Sequence, residues 1–108
     1  MLELPVSAFP NQSFQVILNN QNCTINIYQR KESLYMDLFV GDKQTGRGMI
    51  CLPTVPIPMF STDFIGKIFV VDEWSEPRLQ EPPQWSGLGD RWKFYYLDEN
   101  DLGRLNAQ

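Results

Sequence analysis

Residues 34–60, LYMDLFVGDKQTGRGMICLPTVPIPMF, decide the reading of this chain. Leu34, Met36, Leu38 and Val40 alternate with Tyr35, Asp37 and Phe39, the period-two pattern of a strand with one face toward a core. Gly41, Asp42 and Lys43 make a turn, and a second strand follows through residues 47–52 until Pro53, Pro56 and Pro58 stop it. Proline lacks a backbone N–H and fixes φ at about −65°, so this run ends strand pairing and makes a stiff corner. Strand, tight turn, strand and proline corner describe a compact β module.

Working outward, the same alternation continues. In residues 13–18, Phe14, Val16 and Leu18 share one face, and Asn19 and Asn20 tolerate the positive φ of a tight hairpin. The return strand, 22–30, sets Cys23, Ile25 and Ile27 against Thr24, Asn26 and Tyr28; Lys31, Glu32 and Ser33 then turn the chain into the quoted stretch. A four-strand meander results. Downstream, residues 60–64 read as a single helical turn. Residues 66–72, GKIFVVD, form the most apolar strand and are expected at the centre of a sheet. Residues 91–97, RWKFYYL, set Trp92, Phe94 and Tyr96 against Lys93, Tyr95 and Leu97. The polar tail, 98–108, is expected to fray or to wrap a neighbour. The expected fold is therefore all-β: a small single-domain antiparallel β-barrel or β-sandwich of about six strands, with no helix beyond a turn or two. One domain spans residues 1–108, because a chain of this length buries about 65% of its unfolded surface, enough for a core without cross-links.

Composition narrows the function. The net charge is −4 and the nine basic residues are scattered, so the clustered cations that bind nucleic acid or anionic lipid are missing. The nearest cluster, Arg30 and Lys31, falls at a turn and reads as solvated. No apolar run approaches the ~20 residues of a membrane helix. The opening, MLELPVSAFP, lacks a basic leader, so no signal peptide is expected and the chain belongs in a cytosol. Cys23 and Cys51 both sit in apolar strand patterns and read as buried free thiols, with a cross-strand disulfide as the alternative. The sequons at Asn11 and Asn22 then read as chance matches. Histidine is absent, which removes Ser-His-Asp and Cys-His sites and the commonest metal ligand. No enzyme, cofactor or metal is expected.

The loop 73–90, EWSEPRLQEPPQWSGLGD, holds the candidate site, because a loop this long in a small domain is usually functional or disordered. Trp74 and Trp85, with Pro77, Pro82 and Pro83, are either anchors tucked onto the domain or contacts for a partner. Asp72, Glu73, Glu76, Glu81 and Asp90 form an acidic set. Catalytic carboxylates must face each other across a cleft, whereas neighbouring loop acids more often point to water, so this set reads as a charged face. Residues 41–48, GDKQTGRG, lack the Gly-Lys-Ser/Thr ending of a phosphate loop and lie between strands, which makes them a hairpin turn. The prolines at 53–58 offer a partner a polyproline segment, but a rigid connector is the better reading. Trp92, Phe94 and Tyr96 could stack single-stranded bases, but in an acidic chain core packing is favoured.

Five segments in order resemble the baseplate plug proteins of contractile-tailed bacteriophages: LELPVSAFPNQSFQVIL (2–18), LYMDLFVGD (34–42), GRGMICLPTVPI (46–57), FIGKIFVVD (64–72) and GLGDRWKFYYL (87–97). Residues 73–86 share no pattern with the family. The resemblance implies a virion protein made in the host bacterial cytoplasm, sited at the tail tip and without catalytic residues. It also implies contact with hub, tube and other baseplate subunits in a symmetric ring, and a role in closing or lining the channel until ejection. The competing expectations are a β adaptor that accepts a partner peptide at a sheet edge and an OB-like single-strand binder.

Overall fold

The computed structural model describes residues 1–59 and 64–106, the last two by their backbone alone. The expected helical turn at residues 60–64 therefore falls largely outside the described residues. Seven strands and one helix follow in order: β1 (Leu2–Glu3), β2 (Asn11–Leu18), β3 (Gln21–Arg30), β4 (Ser33–Val40), β5 (Lys43–Ile50), β6 (Lys67–Asp72), β7 (Trp92–Leu97) and α1 (Glu99–Asn106). All named strand pairs are antiparallel. They make two sheets, β2-β3-β4-β5 and β1-β7-β6. The sheets do not close, so the architecture is a sandwich and not a barrel.

The meander forms as its turns demand. Asn19 and Asn20 hold φ of 53° and 62°, which fixes a two-residue hairpin and registers Leu18 against Gln21. Gly41, at φ 60°, closes the two-residue turn from β4 with Asp42, so β5 starts at Lys43, ahead of the sequence reading. Register shifts between Met36 and Phe39 absorb the glycine-rich stretch within β5.

Alternation sorts the faces as expected. Cys23, Ile25, Ile27, Leu34, Met36 and Leu38 point inward from the larger sheet, and Ile68, Val70, Trp92, Phe94 and Tyr96 meet them from the smaller one. Burying Phe94 or a Leu or Ile at these positions stabilises the fold by about 1.5–3 kcal/mol each. The alternating aromatics are thus core: Trp92, Phe94 and Tyr96 are at most 6% exposed, so these three rings are closed to base stacking. Both cysteines are buried free thiols, and burial pushes their pKa up, most strongly at Cys51.

Two expectations need correction. The centre of the smaller sheet is β7, not β6, because β1 adds to β7 on its far side. The other edge of β6 is met by the proline corner instead: Ile57 exchanges two backbone hydrogen bonds with Ile68, at 2.8 and 2.7 Å, and Pro53 bridges Val70. Proline residues thus carry the chain from one sheet to the other. Finally, the polar tail folds into α1. Asp98 accepts the Asp101 N–H at 2.9 Å while the Asp101 carboxylate accepts the Asp98 N–H at 3.2 Å, a reciprocal cap built from two acids. The Met1 ammonium lies 2.9 Å from Asp101 and, as the leading cause, lowers that carboxyl's pKa.

The 73–90 loop as a candidate partner surface

Asp72 ends β6 and Arg91 immediately precedes β7, so the two sit side by side at the base of the loop that joins these strands. The Asp72 side chain is fully buried. Arg91 donates to it from Nε and Nη2, both at 2.9 Å, and the backbone N–H groups of Trp74 and Glu81 donate at 3.2 and 3.1 Å. Four donors on one carboxylate hold its pKa well below the usual range, chiefly through Arg91, against the upward push of burial. Arg91 also donates to Ser75 Oγ at 3.4 Å and to the Glu81 carboxylate. Its guanidinium carbon lies 4.4 Å from the Trp92 ring centre and 5.7 Å from that of Trp74. One cation therefore ties both ends of the loop, its first turn and its middle to the sheet.

Two glutamines finish the frame. Gln80 accepts the Asp72 N–H at 2.7 Å and donates to the carbonyls of Asp72 and Ser75 at 2.9 and 3.1 Å. Gln84 donates to the Glu32 carbonyl at 2.8 Å and accepts from Gln29, whose own side chain accepts the Trp85 N–H at 3.1 Å. The Trp92 indole donates to the Glu81 carbonyl at 3.0 Å. Gly87 lies so close to the Trp92 ring that a Cβ there would meet it at 2.4 Å. Much of the loop's backbone is thus bonded to groups within the chain.

The frame sorts the sequence candidates. Trp74, Pro77, Pro82 and Trp85 are exposed, whereas Pro83 is buried and serves the domain itself. Trp74 has one face against the Arg91 guanidinium and stays 66% exposed. Leu79, overlooked in the sequence, is equally open at 65%. Among the acids, Asp72 is withdrawn from the surface by Arg91, while Glu73, Glu76, Glu81 and Asp90 are exposed. Glu73 accepts from the Tyr95 hydroxyl, and that bond is the first cause pushing the Tyr95 pKa up to about 12. Glu76 and Asp90 make no side-chain bond to the described residues. Sequence reasoning missed Arg91, Gln80 and Gln84 because a lone Arg and two Gln in a loop follow no period.

Among the described residues no cluster of Cys, Asp or Glu could hold a metal ion. The depression of about 540 Å³ beside the loop joins an apolar wall of Phe69, Val71 and Leu97 to the polar side chains of Glu73, Gln80 and Tyr95. No helix of the described residues is long and apolar enough to cross a membrane.

The family model described as "Cyanophage baseplate Pam3 plug gp18" matches residues 1–99 of the 108. The chain belongs to this baseplate plug family. No curated protein matches it. The match runs through the whole sandwich and across the loop, including residues 73–86, where the sequence alone offered no familiar pattern. It stops at the first residue of α1.

Proposed function

We propose that this chain is a structural subunit of a phage tail baseplate, made in the host cytoplasm. In this reading it plugs or lines the tail-tip channel and binds hub and tube proteins, without catalysis. The observation that carries the reading is the family match over residues 1–99, joined to a loop that spends its hydrogen bonds internally and its Trp74 side chain outward. Trp74, Leu79, Trp85, Pro77 and Pro82 supply apolar contact. Tryptophan in a desolvated pocket is a frequent energetic centre of protein interfaces. The same loop exposes Glu73, Glu76, Glu81 and Asp90, and this negative charge suits either a basic neighbour or a channel wall that repels passing phosphates. Copies arranged in a closed ring would multiply weak individual contacts into firm attachment.

Quantitative mass spectrometry of gradient-purified tails tests the reading. A small integer ratio to the hub protein is expected. Absence from intact tails, with the protein abundant in producing cells, would overturn it.

A further inference from the structure

The free edge of β2 differs from the edges of β5 and β6. The two-residue turn makes Leu18 and Gln21 a hydrogen-bonded pair, so Val16, Phe14 and Gln12 also bond to β3; the Gln29 N–H to Pro10 carbonyl bond at 2.9 Å keeps that phase. Asn11, Ser13, Gln15 and Ile17 must then aim their N–H and C=O groups away from the sheet, and among the described residues none of these groups has a backbone partner. Unpaired edges are usually defended by charge, proline or a bulge. The sequence of β2, NQSFQVIL, has no charge and no proline, and its register with β3 is unbroken over eight pairs. By contrast, β5 carries Lys43 and Arg47 with shifted register, and the edge of β6 is bridged by Pro53 and Ile57. The side chains agree with the backbone. Phe14 and Val16 pack on the core but stay partly open, and Ile17 is 66% exposed.

We infer that β2 is a strand-addition site, filled by an extended segment of another tail protein with apolar residues at alternate positions and no acidic ones. Alternate apolar side chains would cover Phe14 and Val16 while the backbone pairs with residues 11, 13, 15 and 17. The charge follows from the chain's own net −4, which favours a neutral or basic strand. A second copy fits less well. It would bring a further −4 to a seam one strand long, small beside the roughly 1,200–2,000 Å² of a stable specific interface. A segment of a protein already held at the 73–90 loop needs no such area, because its binding here is intramolecular. The inference rests on the tail-subunit reading.

Hydrogen exchange on the whole chain, free and within purified tails, tests it residue by residue. In the free protein the Ser13, Gln15 and Ile17 amides should exchange about 100-fold faster than those of Phe14 and Val16; in tails they should slow by a similar factor. Gln15→Pro removes an outward N–H and no internal bond, so the variant should fold and enter tails at least about tenfold less well. Gln15→Lys, which leaves every backbone bond intact and charges the seam, should act the same way if the proline variant misfolds. Unprotected amides in tails that contain the chain would overturn strand addition alone, as would normal incorporation of Gln15→Lys. A photo-crosslink from position 15 to a second copy would also overturn it, whereas absence of the chain from tails defeats both readings.

Discussion

Replacing Arg91 with alanine should unfold more of this protein than its position in a surface loop suggests. The substitution deletes two 2.9 Å bonds to Asp72, the bond to Glu81 and the stack between Trp74 and Trp92. What remains is a buried carboxylate with only two backbone donors, those of Trp74 and Glu81. Breaking a buried ion pair from one side costs about 3–5 kcal/mol, against a total stability of about 5–15 kcal/mol for an ordinary domain. At roughly 4–5 °C per kcal/mol for a chain of this size, the melting temperature should fall by about 12–25 °C. Urea titration followed by tryptophan fluorescence measures this directly, since Trp74 and Trp92 flank the missing group. Trypsin gives a second readout: Arg78 is exposed yet held in the framed loop, and cleavage there should accelerate in the variant. Arg91→Met with Asp72→Leu, which removes both charges, should recover much of the loss. A single-variant loss below about 1 kcal/mol, the level of an exposed pair, would refute the argument that this cation holds the loop.

Other consequences can be checked with the same methods. Asp72 has a folded pKa below its unfolded value of about 3.9, so its contribution is complete above about pH 4 and is lost as pH falls toward the folded value. Urea titrations between about pH 5 and 2 should show that loss, and Asp72→Asn should flatten it while lowering stability near neutrality. Tyr95 has the opposite sign: its folded pKa is raised to about 12, so its contribution is complete below about 10 and fades between the two, and Tyr95→Phe should remove that alkaline slope. Gly87→Ala drives a methyl to 2.4 Å from the Trp92 ring and should cost about 1–3 kcal/mol by the same titration. Converting Glu73, Glu76, Glu81 and Asp90 to Lys should impair particle assembly or ejection; unchanged infectivity would discard the acidic face.

Much of the sandwich was legible because its code is local. Ile25 and Ile27 alternate with Thr24 and Asn26, and that period alone assigns the core face. Asn19-Asn20 specifies a hairpin by the φ it permits. What escaped depends on distant partners. Leu2–Glu3 is a strand only because Tyr95 and Tyr96 wait across the fold, and two residues show no period. The α1 helix was hidden by its polarity, yet Asp98 and Asp101 three residues apart were a readable cap. In the loop, the exposed tryptophans were visible by size. The identity of the buried acid was not, because Asp72 and Glu73 are adjacent carboxylates that strand alternation sends to opposite sides: one inward onto Arg91, the other outward toward the Tyr95 hydroxyl.

That split explains how a long loop can hold an exposed tryptophan in a fixed place. Ordering a flexible backbone costs about 1–2 kcal/mol per residue, so a partner that had to fold residues 73–90 on binding would face a penalty larger than most interfaces supply. Here Asp72, Arg91, Gln80 and Gln84 meet that cost during folding, so a partner of the kind proposed would find Trp74 already positioned. Two variants separate the roles. Trp74→Ala loses a partly exposed cation–π contact of about 0.5–1 kcal/mol and should leave the melting temperature within about 5 °C, yet reduce entry into tails. Gln84→Ala removes a staple and no exposed apolar surface, so it should loosen the loop to protease first. If Trp74→Ala enters tails normally while Gln84→Ala does not, the loop's order matters but its tryptophan is not the anchor.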